Sequence, residues 1–148
     1  MDTTDGVDSL ESVNASRLAV VAAIAAAVAW GLKALAIGLA GGLDKSPLES
    51  PLFVLGLISI VVAFAALGVG VAGGRSTAVK VVAGLAGVLV GLALSGLASA
   101  LAAAVIPDSA GWVQAEAGLW FSALLALGLT VFWYRTHGAD AALPRHSH

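Results

Sequence analysis

The stretch LAVVAAIAAAVAWGLKALAIGLAGGL, residues 18–43, decides the fold class, because it is a 26-residue apolar run interrupted by one cation, Lys33. About 20 apolar residues suffice for a helix to cross roughly 30 Å of hydrocarbon, so a run of this length reads as a membrane span. A lone ammonium inside such a span costs about 2.5–3.5 kcal/mol on insertion scales and therefore calls for a partner or an exit to the surface. Three further runs follow, at 52–72, 79–106 and 110–134. The expected architecture is an all-α membrane protein, a four-transmembrane-helix antiparallel bundle.

Composition agrees. The chain has 148 residues, of which 59% are hydrophobic and only 11% charged, and its mean hydropathy is +0.99. A soluble domain would carry about a quarter charged residues to cover its surface. The absence of cysteine excludes a disulfide framework and a thiolate metal site. A formal net charge of −2 gives no footprint for a nucleic-acid partner.

The opening segment carries Asp2, Asp5, Asp8 and Glu11, where a cleavable signal would want positive charge. It reads as a disordered acidic tail over 1–15, with Ser12, Asn14 or Ser16 available to cap the first helix. The membrane domain is expected at 16–135 and a disordered C-terminal tail at 136–148. Gly41 and Gly42 fit the end of helix one. Ser50-Pro51 fits the N-cap and first-turn proline of helix two. Gly73-Gly74-Arg75 closes that helix, and Ser76 or Thr77 is placed to cap the next. The short link between runs two and three forces an antiparallel hairpin. Pro107-Asp108-Ser109 then breaks run three from run four.

Basic residues near span ends set the orientation. Arg17, Arg75, Lys80, Arg135 and Arg145 share one side of a four-span protein, against Lys45 on the other. Both termini are thus expected on the cytoplasmic side of the cell membrane, the inner or plasma membrane. Phe132-Trp133-Tyr134 before Arg135 resembles an interfacial aromatic belt.

Lys33 lies about 10 residues, roughly 15 Å, from the outer end of span one, and Glu116 about six residues, roughly 9 Å, into span four. The two spans point oppositely, so both charges are near the same face. They are expected to pair between helices one and four, as ionisable groups at such depth usually do. Trp112 and Trp120 flank Glu116 at four-residue spacing, and Trp30 lies one turn before Lys33. Their indole N–H groups could reach the carboxylate and an indole face the ammonium. Gln114 is about 200° around from Glu116 on a helix, on another face. Three alternatives stand: a static polar clasp between helices, a ligand or ion site, and two charges snorkelling independently.

In the third run Ala83, Gly87, Gly91, Ser95, Ser99 and Ala103 recur every four residues. Small residues let backbones approach closely where lipid removes the hydrophobic incentive. This ladder makes helix three either the hub of the bundle or a dimer face.

Other chemistries find no support. His137, His146 and His148 all lie in the polar tail, so no span offers imidazoles to a buried haem. There is no His-Glu-x-x-His zinc motif and no phosphate-binding loop. The span serines have no histidine partner and can bond their own helix carbonyls. No cofactor, no metal and no enzymatic activity are therefore expected. The two hairpins either side of Gly74 are of similar length, but Lys33 and Glu116 do not occupy equivalent places in them.

Four spans with a membrane carboxylate beside tryptophans is similar in outline to the small multidrug resistance transporters. That family's essential acid lies in the first span, whereas here no acid falls between Glu11 and Asp44 and Lys33 stands in that helix. No family is assigned on this basis. The Ala-, Gly- and Val-rich vocabulary points to a bacterium of high genomic G+C.

Two function classes remain. One is an accessory or assembly subunit, without catalytic machinery, of a larger membrane-protein complex. The other is a small oligomeric transporter or channel using Glu116 and Lys33 with their tryptophans. The lipid bilayer is the partner in either case, joined by a larger membrane protein or by further copies of the chain.

Overall fold

The computed structural model describes residues 3–138, which are all-helical apart from their turns. Four long helices follow in order: α1 (Thr3–Ala40), α2 (Glu49–Val71), α3 (Thr77–Val105) and α4 (Trp112–Trp133). A 3-10 turn (Asp108–Ala110) precedes α4, and a π-helical turn (Tyr134–Gly138) follows it. Each helix has a segment long and apolar enough to cross a membrane. Helix α1 packs on α2 and α4, and α3 packs on the same two, so α1 and α3 stand diagonally opposite. Gly70 near the end of α2 meets Ser16 near the start of α1, and Gly68 meets Ala83 near the start of α3. Consecutive helices therefore run in opposite directions.

The turns follow local backbone chemistry. Gly41 and Gly42 have φ of 81° and 141°, and their N–H groups donate to Gly38 and Ile37 carbonyls at 3.3 and 3.1 Å. This double bond is a Schellman closure of α1, open to glycine because a side chain disfavours positive φ. Lys45 adds its ammonium to the Gly41 carbonyl at 3.2 Å. In the first turn of α4, Gln114 donates to the Ile106 carbonyl at 3.0 Å and to Asp108 at 2.9 Å, fastening the α3–α4 turn.

Several boundaries differ from the sequence expectation. Residues 1–15 were expected as a disordered tail, yet α1 is continuous from Thr3. Contacts along the bundle hold this segment. Lys80 pairs with Glu11 at 2.6 Å, and Ser12 packs beside Gly73. None of Ser12, Asn14 or Ser16 starts the helix; Ser16 instead donates to the Ser12 carbonyl at 3.0 Å. At 38 residues α1 is about 57 Å long, well beyond the roughly 30 Å of a hydrocarbon slab. Helix α2 begins at Glu49 after Leu48, so Ser50 is already inside it. Ser76 occupies the N-cap position of α3 but forms no side-chain capping bond. Of the tail expected at 136–148, residues 136–138 continue as the π turn; Arg145, His146 and His148 lie outside the described residues.

Side-chain size is distributed unlike that of a soluble bundle. The interior is mainly alanine, with Ala19, Ala23, Ala26, Ala63, Ala117, Ala123 and Ala126 enclosed. Trp30, Ile60 and Phe64 fill the centre. Leucine and valine face outward, including Leu39 at 82% exposure and Leu89 at 70%. Van der Waals contact between close backbones, rather than burial of bulky groups, holds such an assembly.

Helix α3 is not the hub that its ladder suggested. Only 11% of its most apolar window is buried, against 39% for α1 and α4, which makes it the most peripheral helix. Its ladder divides between two neighbours. Ala83, Gly87 and Gly91 lie against Gly68 and Phe64 of α2, while Ser99 lies against Gly118 of α4. Ser122 of α4 donates to the Gly118 carbonyl at 2.7 Å and reaches the Ser95 carbonyl at 3.5 Å. A straight α-helix drifts about 40° per four-residue step. That drift carries the stripe from one partner helix to the next.

Candidate functional site

The buried charges meet. Lys33 Nζ donates to Glu116 Oε1 at 2.5 Å, and each residue is only 4% exposed. Lys33 lies seven residues before the end of α1 and Glu116 four residues into α4. Both are therefore about 6–10 Å inside their helix ends, near one level. The pair ties the two helices together, and neither side chain snorkels. The Coulomb gain in so enclosed a place opposes a desolvation cost of several kcal/mol per ion. The arrangement is thus worth most as a constraint on how α1 and α4 dock.

A second carboxylate, absent from the sequence expectation, belongs to the same cluster. Glu49, in the first turn of α2, places Oε1 3.9 Å from Lys33 Nζ. Its Oε2 accepts the backbone N–H of Asp44 at 2.8 Å, a residue held at φ 60°. Phe53, one turn on, sets its ring centroid 5.7 Å from the ammonium. This is within cation–π range. The signal available in the sequence was Glu49 and Phe53 at i, i+4, at the start of the span whose entry lies beside the exit of span one.

The tryptophans do different work from that expected. Trp30 donates its indole N–H to the Phe53 carbonyl at 3.3 Å, not to a carboxylate. Its ring occupies the space over Gly56, where no Cβ would fit. Trp112 lies over Gly38 and meets Trp120 edge to face, with centroids 6.4 Å apart and planes at 85°. The ring beneath the ammonium is that of Phe53, not of a tryptophan.

Two polar atoms in this region are buried without a hydrogen-bond partner among the described residues: Glu116 Oε2 and Trp120 Nε1. They lie one turn apart on α4, and unsatisfied buried polar atoms are uncommon enough to mark a place for water or a ligand. A surface groove of about 250 Å³ runs between α1 and α4 past Trp30, Gly31, Ala34 and Trp120. Neither Lys33 nor Glu116 lines it. Among the described residues no three His, Cys, Asp or Glu side chains converge as metal ligands would.

The geometry thus supplies a buried three-charge cluster joining α1, α2 and α4, with the Phe53 ring beside its ammonium. No protein-family profile, no curated protein and no solved structure matches this chain.

Proposed function

We propose that this chain is a multi-pass membrane protein without catalytic machinery, serving as an accessory or assembly subunit of a larger membrane complex. All four helices are long and apolar enough to span, and their bulky aliphatic residues face outward, as lipid favours. The basic residues Arg17, Arg75, Lys80 and Arg135 fall at one end of the bundle, which orients that end to the cytoplasm under the positive-inside rule.

The observation that carries the non-transport reading is the closure of the Lys33–Glu116 pair, at 2.5 Å and 4% exposure on each side. A substrate path would expose such charges to a cavity, whereas both side chains are enclosed by protein. The peripheral α3 leaves most of its length free for a neighbouring protein. Affinity recovery of the tagged chain from its native membrane tests this. A larger membrane protein should come with it in fixed stoichiometry, and repeated recovery of the chain alone counts against an accessory role.

A second reading, a small oligomeric transporter or channel, draws on the unpartnered Glu116 Oε2 and Trp120 Nε1. It requires opening of the α1–α4 seam. Ion or solute flux in proteoliposomes, abolished by Glu116→Gln, would favour it.

A further inference from the structure

We propose that α4 binds a single water molecule between Glu116 Oε2 and Trp120 Nε1, extending the Lys33 cluster by one residue deeper into the bundle. Both atoms are enclosed, and neither has a hydrogen-bond partner among the described residues. Polar groups so placed are costly to leave unsatisfied. The helix brings the two side chains together, since residues four apart share a face with Cβ atoms about 5–6 Å apart. Trp112 and Trp120 are two turns apart, a rise of about 12 Å, yet their ring centroids are separated by only 6.4 Å. Both rings therefore lean toward the turn that carries Glu116. Lys33 holds the other carboxylate oxygen, Oε1, at 2.5 Å, which pins the group in place.

The chemistry of the two atoms selects the ligand. A carboxylate oxygen only accepts and an indole N–H only donates, so the bridging group must donate and accept at once. A hydroxyl does both. An ammonium or metal ion offers no lone pair to the indole, and an anion would face a carboxylate. Enclosure of both atoms favours the smallest hydroxyl, that of water, which commonly satisfies buried polar groups of this kind. With it, a polar chain runs from the Asp44 N–H through Glu49, Lys33 and Glu116 to Trp120. Trp120 lies eight residues into α4, about 12 Å from its start. Water at this position depends on the charged pair alone, with or without a larger partner for the chain.

Solid-state NMR of the full chain in lipid bilayers, with its tryptophan indoles isotopically labelled, tests this. Magnetisation transfer from water protons is measured at each indole N–H, and the Trp120 signal is identified by its loss in Trp120→Phe. Wild-type protein should show transfer to Trp120. Two uncharged replacements of the pair then separate bridging from packing. Lys33→Met/Glu116→Gln keeps an acceptor oxygen at 116 and should retain the transfer, whereas Lys33→Met/Glu116→Leu removes the acceptor and should abolish it. Transfer at wild-type strength in the leucine variant overturns the site. The wild-type spectrum decides by itself if a variant fails to fold. A Trp120 N–H that receives no transfer from water, or that bonds the Glu116 carboxylate directly, overturns the proposal.

Discussion

Trp30 of α1 and Gly56 of α2 occupy one space: the indole fills the position that a side chain at 56 would need. The same indole donates to the Phe53 carbonyl one turn earlier. The α1–α2 contact is thus fixed by a large residue facing a missing one, one helical turn before Lys33.

Gly56→Ala should therefore destabilise the bundle by about 1–3 kcal/mol, the usual cost of overpacking. Gly31→Ala, on the same helix as Trp30 but with no atom near its would-be Cβ, should be neutral or stabilising by up to about 1 kcal/mol through helix propensity. Reversible unfolding in mixed micelles would measure both. A Gly56→Ala protein as stable as wild type would show that Trp30 does not sit there.

Lys33→Met leaves the Glu116 carboxylate buried and unpaired, and should cost about 3–5 kcal/mol. The double variant Lys33→Met/Glu116→Leu removes both charges and should recover most of that loss, since apolar isosteres often replace buried pairs without penalty. A double variant no more stable than Lys33→Met would argue against the pair.

Glu49 offers a graded test. Glu49→Gln retains an acceptor for the Asp44 N–H but removes the charge 3.9 Å from Lys33, so a loss of about 0.5–1 kcal/mol is expected. Glu49→Ala also removes the acceptor and should cost about 1 kcal/mol more. Equal effects from the two substitutions would show that the charge matters and the loop bond does not.

The Glu11–Lys80 pair lies at the open end of the bundle with Glu11 exposed. Glu11→Gln should lower stability by only about 0.2–1 kcal/mol, and the difference should shrink as salt rises. A titration of melting temperature against sodium chloride distinguishes this from a salt-independent packing effect.

Much of the fold was readable from the chain. Run lengths mark four helices because apolar spans must reach a minimum length, and Gly41-Gly42 marks a stop because few residues accept their dihedrals. Lys33 and Glu116 could be paired by depth alone, since antiparallel spans put both near one face. The cluster's third member was hidden because Glu49 stands at a helix start, where an acid ordinarily reads as a solvated first-turn residue. The partners of the tryptophans were hidden for another reason. Spacing within one helix says which face a ring occupies, but not which carbonyl of a neighbouring helix its N–H meets. The ladder 83–99 was visible as a stripe, but its division between α2 and α4 depends on the crossing of three helices. Continuity of α1 back to Thr3 depends on Lys80 and Gly73, more than sixty residues away.

The alanine interior leaves this protein with a one-sided tolerance to change. In a core of leucine and phenylalanine, mutation most often harms by subtraction, leaving a void. Here Ala19, Ala23, Ala26, Ala63 and Ala126 have no exposed surface and little left to lose, so nearly every replacement adds bulk between backbones already in contact. Harm at these positions should track the volume gained, with serine and glycine the mildest replacements. The aliphatic exterior should accept exchanges among leucine, isoleucine and valine freely. Sequence variation would then concentrate on the outside while the smallest residues stay constant, a pattern set by steric allowance before any demand of function.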